Sequence, residues 1–170
     1  VFNGNTAQKS GGGLYNEAND VTLINCTFVG NGGRTSGGGI YSSACAATLA
    51  NCILWANTHQ QRDRFGQSAQ ISGGQPPVIN YCCVQRWAGT LGGTGNIGAN
   101  PLFIDADGLD NVVGTLDDDL RLQPLSPCVD AGNNAVLPGS VATDLDGKPR
   151  TANGKVDIGA YEWQQIPGSD

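Results

Sequence analysis

Apolar residues come in short bursts along this chain. Runs of three to six, rich in Val, Ile, Leu, Phe and Tyr, alternate with stretches of Gly, Asn and Ser. Nowhere do they recur at three-and-four spacing over ten or more positions. Such punctuation predicts short strands joined by tight turns, not helices. The bursts are also periodic. "SGGGLYNEANDVTLINCTF" (10–28) and "SGGGIYSSACAATLANCIL" (36–54) match nearly letter for letter at an offset of 26 residues. At that offset Phe2 aligns with Phe28 and Leu54, Asn5 with Asn31 and Asn57, Leu14-Tyr15 with Ile40-Tyr41, Leu23 with Leu49, and Asn25-Cys26 with Asn51-Cys52. A looser third copy, "QISGGQPPVINYCCV", sets Ile71, Ile79 and Cys82 below Ile40, Leu49 and Cys52 after a few inserted residues.

A fixed period of this length signals a solenoid. Three short strands and three turns fill 26 residues, and stacking such turns at about 4.8 Å per rung gives an all-β, right-handed parallel β-helix. A β-sandwich would not hold Cys, Asn and Gly triplets in one register. The expected columns follow from the stacking. Cys26, Cys52 and Cys82 line a narrow interior as small hydrophobes, with Phe28, Leu54 and Val84 two residues later on the same face. Asn5, Asn31 and Asn57 share a corner where side-chain amides bond one another and the turn backbone. One Cys per coil with no neighbouring His does not fit zinc spacing. The remaining Cys45, Cys83 and Cys128 leave open a tie from Cys83 or Cys45 to Cys128, because connectivity is not legible in sequence.

Past residue 90 the repeat stops. Residues 1–90 are read as coils of about 26 residues, and 91–170 as irregular last coils and a C-terminal cap of the same domain, since an open β-helix end is an exposed strand edge. At the other end Val1-Phe2 falls in mid-repeat, so earlier coils or an upstream domain are expected. The tail carries "GNIGANPLFIDADG", "LRLQPLSPCVDAGN", "TDLDGKPR" and "VDIGAYEW" in that order. With the "GGGIY…NC" repeat of Gly37 to Asn57, these motifs resemble bacterial secreted and surface β-helix repeat proteins. The resemblance covers nearly the whole chain. It implies a parallel β-helix with a C-terminal cap in an exported, multidomain protein, and a secreted or cell-surface location. It implies no single chemistry, because the fold hosts lyases, hydrolases, adhesins and binding modules.

Composition narrows the partners. The 170 residues carry a net charge of −6 with only nine scattered Lys and Arg, which makes nucleic acid and anionic membranes poor partners. No run of 18 apolar residues is present, so no membrane-inserted helix is expected. Thirteen of the fifteen acidic residues are Asp, most of them in the tail. Asp-rich loops suit Ca²⁺, but Asp is also the ordinary turn residue; "DLDGKPR" reads as a tight turn with an Arg150 salt bridge, or as a structural Ca²⁺ site. No cofactor is required.

No catalytic residues are assigned. A polysaccharide lyase would need a base and a cation near the developing charge, and the inserted "HQQRDRFG" offers only His59, Arg62, Asp63 and Arg64, with Arg86 a coil further on. A hydrolase would need two facing carboxylates, and none recurs from coil to coil. Aromatics make the better case. If Leu14, Ile40 and Leu54 point inward, then Tyr15, Tyr41 and Trp55 point outward, with Trp87 near the next coil. Exposed rings bind the apolar faces of sugars. The expected function is a non-catalytic polysaccharide-binding module for a neutral plant cell-wall glycan such as xylan, partnered by an adjacent catalytic domain. Its ligand-binding residues would be Tyr15, Tyr41, Trp55, Trp87, Arg62 and Asp63. A lyase or hydrolase fragment and a cell-surface adhesin or stalk are the alternatives.

Overall fold

The computed structural model describes residues 1–60 and 63–164. The 26-residue period is one coil of a parallel β-helix, and each coil holds four strands, not the three that the sequence suggested. The first coil contains β1 (Phe2–Asn3), β2 (Thr6–Ala7), β3 (Leu14–Asn16) and β4 (Val21–Ile24). The second contains β5 (Thr27–Val29), β6 (Gly32–Gly33), β7 (Ile40–Ser42) and β8 (Ala47–Ala50). The third contains β9 (Ile53–Trp55), β10 (Thr58–His59), β11 (Ile71–Gly73) and β12 (Val78–Asn80), followed by β13 (Cys83–Val84). Equivalent strands pair in parallel, giving the sheets β1-β5-β9-β13, β2-β6-β10, β3-β7-β11 and β4-β8-β12. The short helix α1 (Gln67–Gln70) sits in the insertion of the third coil. Beyond it the register returns as the looser copy predicted, Ile71 against Ile40 and Ile79 against Leu49.

The interior is built from the inward member of each strand: Phe28, Ile40, Leu49 and Cys52 on the second coil, and Leu54, Ile71, Ile79, Cys82 and Val84 after it. Phe2 and Phe28 stack with centroids 4.3 Å apart. The cysteine column is present, with the Cys52 N–H donating to Cys82 Sγ at 3.3 Å. Two of its thiols stay protonated: hydrogen bonding to Cys52 and then burial raise the Cys26 pKa, and burial raises that of Cys52. Thiols held in this form are poor nucleophiles. All six cysteines are free. Cys83 and Cys128 meet in a second apolar cluster, where the Cys128 thiol and burial push the Cys83 pKa up. Cys45 instead donates to Ala18 O.

The asparagine corner is a continuous amide chain. Asn31 Oδ1 accepts from the N–H and Nδ2 of Asn5, both at 3.0 Å. Asn57 Oδ1 accepts in the same way from Asn31 at 3.0 and 2.9 Å. Gln70 Oε1 takes the next place, accepting from Asn57 N–H and Nδ2. The glycine triplets lie against this corner. A Cβ on Gly38 would fall 2.0 Å from Thr58 O, so the coils close up only if that position lacks a side chain. At the opposite corner Asn25, Asn51 and Tyr81 all have φ near +50°, a conformation that Asn tolerates best among residues with a Cβ.

The C-terminal segment caps the β-helix mainly from the side. Ile97 continues a rung, bridging to Cys83. The chain then forms the antiparallel hairpin β14 (Phe103–Asp105) and β15 (Asp119–Leu122) and lies across the outward face of β1-β5-β9-β13. There Val29, Ile53 and Cys83 pack on Phe103, Leu120, Leu122, Cys128 and Ile158. It reaches back to the first coils: Asn25 Nδ2 donates to Asp157 O and Gly159 O, Ala160 N–H to Thr27 Oγ1, and Asn133 N–H to Asn51 Oδ1 at 2.8 Å. The two far interior positions at the last rung are covered by Trp87 and Leu91.

"TDLDGKPR" is the tight turn expected, with Asp144 Oδ1 accepting from the N–H groups of Asp146 and Lys148. Among the described residues Arg150 does not form the expected salt bridge. Its guanidinium donates to the carbonyls of Gly159 and Ala160. Around it Asp157 accepts from Asp130 and Trp163 N–H groups, and Glu162 from Ala152 and Asp157 N–H groups.

Candidate functional site

Strand alternation places Leu14 and Ile40 inside and Tyr15 and Tyr41 outside on β3-β7-β11. The two rings stack at 5.5 Å with 19° between their planes, and Tyr15 is 48% exposed. Ser72 is the register partner of Tyr41 on the third rung. A serine there leaves the ring face of Tyr41 that Tyr15 does not cover turned toward the last coil.

Next to Ser72 lies an open cleft of about 470 Å³. Its walls include Gln67 from α1, Ser72, Gln75, Pro77 and the loop residues Thr90 and Leu91. Every polar side chain lining it is an uncharged amide or hydroxyl. Gln67 joins the two walls, donating through Nε2 to Thr90 Oγ1 at 3.3 Å and accepting from Ala88 N–H at 3.4 Å. Ser72 Oγ is buried and has no hydrogen-bond partner among the described residues. β11 is the outermost strand of its sheet, so its backbone edge faces the same region.

The two predicted tryptophans are not exposed platforms. Trp55 points outward from β9 as expected, but the tail lies over that face. It is half-buried against the second apolar cluster and lines a cleft of about 380 Å³ with Phe103, Leu102 and Gln123. Trp87 packs on the interior core at the end of the third coil. Alternation identified which side of its strand Trp55 would take; it could not show that a distant segment covers that side. The four rings therefore do not form one surface, and only Tyr15 and Tyr41 stand together.

Arg62 lies outside the described residues. Asp63 makes an exposed ion pair with Arg86 at 2.9 Å, and such a pair is worth little in stability. His59 points inward, is nearly buried and bonds Ser68 Oγ at 3.0 Å, so it does not project as a surface base. A separate cleft of about 260 Å³ over β2-β6-β10 is lined by Arg34 and Arg64, with Thr6 and Thr58 on either side of Gly32 and no carboxylate among the described residues. Among the described residues no group of three or more His, Cys, Asp or Glu could hold a metal ion, and no helix is long and apolar enough to cross a membrane. The residues that sequence reasoning missed are Gln67, Ser72, Gln75 and Thr90. Ser72 was findable as the third member of the tyrosine column; the others enter through the inserted loop, whose path no repeat predicts.

No curated protein and no solved structure matches the chain. A family model does match residues 1–17, that of the Chlamydia polymorphic membrane protein repeat. The match covers most of the first coil, and together with the stacked coils it fits a repeat protein of bacterial surface type.

Proposed function

We propose that this chain is a non-catalytic module that binds a neutral polysaccharide, with its site on the β3-β7-β11 face and the adjoining cleft. One observation carries the reading: an open cleft whose polar lining is wholly uncharged lies one rung from a pair of outward tyrosines on the same sheet. Sugar rings ask for this combination, an aromatic surface for their C–H faces and amides and hydroxyls for their hydroxyl groups. The net charge of −6 supports neutral glycans such as xylan over polyuronates. A secreted setting and an adjacent catalytic domain belong to the same proposal.

A second reading is favoured by the match of the first coil to a polymorphic membrane protein repeat. On that reading the coils are a structural or adhesive part of a cell-surface protein, and the tyrosine pair is a stabilising surface ladder.

Calorimetry and affinity electrophoresis on xylan, β-glucan and polygalacturonate separate the two, run beside reducing-sugar and unsaturated-product assays. The binding module retains xylan or glucan without turnover, and Tyr41→Ala weakens it by about 1 kcal/mol or more. Gln67→Ala, which removes the cross-wall amide, lowers affinity further. No binding to any neutral glycan leaves the surface-protein reading. Preferential polygalacturonate binding lost in Arg34→Gln or Arg64→Gln, or released unsaturated product, overturns the neutral-glycan proposal.

A further inference from the structure

Two further columns run along β2-β6-β10, a different sheet from that of the tyrosine pair. Thr6, Gly32 and Thr58 are register partners in the first. Two residues on, at the same offset of 26, stand Gln8, Arg34 and Gln60, all three exposed. The rungs continue that far, since Gln60 N–H donates to Arg34 O at 3.4 Å and Thr35 N–H to Lys9 O at 2.9 Å. Both columns line the cleft of about 260 Å³, which Arg64 joins from the inserted loop. Gly32 is not in the left-handed region. A Cβ on it would meet Thr58 Oγ1 and Thr6 Cγ2, each at 3.5 Å, an ordinary contact. Neither backbone nor packing therefore demands glycine here, and its bare Cα leaves a notch between two threonines. The charge around the notch is unbalanced. Among the described residues neither Arg34 nor Arg64 belongs to an ion pair. The Arg64 guanidinium lies 5.4 Å from the centroid of the Phe65 ring, a contact that holds a cation without neutralising it. In a chain with fifteen Asp and Glu to nine Lys and Arg, two arginines in one cleft without a carboxylate are left to an anion from outside.

We propose that this cleft is a second ligand site, one that takes a phosphate or sulfate group, free or carried as a monoester. Guanidinium forks match the oxygens of such a group and keep their charge at every physiological pH. The Thr58 hydroxyl faces the notch, and the amides of Gln8 and Gln60 flank Arg34 on the neighbouring rungs. Donors arriving from several directions suit a tetrahedral oxyanion, whereas one fork satisfies a planar carboxylate. A cleft of about 260 Å³ is larger than a bare oxyanion, which leaves room for a residue that carries it. The net charge of −6 opposes a long polyanion, so the fitting ligand bears one charged group on an otherwise neutral body. The site lies apart from the tyrosine pair and stands whether or not xylan binds there.

The test titrates the full chain by calorimetry with inorganic phosphate, inorganic sulfate, glucose 6-phosphate and glucose 6-sulfate, with galacturonate as the carboxylate control. Saturable binding of one equivalent is expected. Esters held more tightly than the bare anions assign the group to a larger ligand, and equal affinity assigns the site to the free ion; both results uphold it. Arg34→Gln and Arg64→Gln should each weaken binding by roughly tenfold or more, because each removes charge-assisted hydrogen bonds. Gly32→Ala fills the notch at ordinary contact distance, so Tm should hold while affinity falls several-fold. The absence of saturable binding at millimolar anion overturns the proposal. So does binding unchanged in either arginine variant or in Gly32→Ala, and so does galacturonate held as tightly as the oxyanions, since the cleft would then be a carboxylate site.

Discussion

Replacing Asn57 by Leu should be among the most damaging single changes available to this protein. The side chain is fully buried and its amide serves both neighbouring coils. Oδ1 accepts from Asn31 N–H and Nδ2, while Nδ2 donates to Phe28 O at 2.9 Å and Gln70 Oε1 at 2.9 Å. Leucine matches the branching and heavy-atom count and removes all four bonds. The buried Asn31 N–H and Phe28 O are then left without those partners, and each orphaned group costs about 1–3 kcal/mol. Gln70 Oε1 and Asn31 Nδ2 retain some of their other contacts and add less. The sum is about 4 kcal/mol, a large part of the roughly 5–15 kcal/mol available to a single domain, or a fall in Tm of roughly 8–16 °C for a chain of this size. Asn5→Leu deletes a residue at the same corner, but one that is exposed and bonded on one side only. It should cost under about 1 kcal/mol because water replaces the lost partners. Urea and thermal unfolding followed by circular dichroism measure both. Equal costs at the two positions, or a loss below about 1 kcal/mol at Asn57, would refute the claim that the amide chain holds the coils together.

Three further outcomes are expected. Gly38→Ala should abolish folding or greatly reduce soluble yield, since its Cβ meets Thr58 O, whereas Gly139→Ala has open space and should be neutral in Tm. Burial raises the carboxyl pKa of Glu162 to about 7 and of Asp157 to about 6. The folded state therefore holds protons that the unfolded chain has released, and stability present near pH 4–5 declines as pH rises through 6 to 7; Glu162→Gln should flatten this slope in a Tm-against-pH series. Chelation with EDTA should change Tm by a degree or two at most, because Asp110, Asp117, Asp118, Asp119, Asp144 and Asp157 already accept from backbone N–H groups; a drop of many degrees would establish a structural Ca²⁺.

The coils were legible because a solenoid writes its contacts into sequence at a fixed offset. Phe2, Phe28 and Leu54 read as a column for the same reason that they form one. Gln70 was not legible as the fourth member of the asparagine chain, because it arrives on a helix within the insertion and at a different spacing from Asn57. The tail was legible as a set of turn motifs and not as a lateral cover, since its partners lie more than 130 residues away and share no period with it. That gap accounts for the tryptophans. Trp55 faces outward as its strand parity requires, but outward here means toward Phe103 and Leu122 rather than solvent.

A bare stack of coils melts and forms from its ends, each coil answering only to its neighbours. Here the segment around Asp157–Ala160 bonds Asn25, Thr27 and Asn51 on the first two coils, so those coils wait for a stretch of polypeptide made long after them. As the chain emerges from amino to carboxyl end, the early turns have met each other long before the part that clasps them exists. Their final locking is a late event, and a nascent chain stopped short near residue 150 would carry coils without a clasp. Such a chain should be open to proteases at the very turns that were made first.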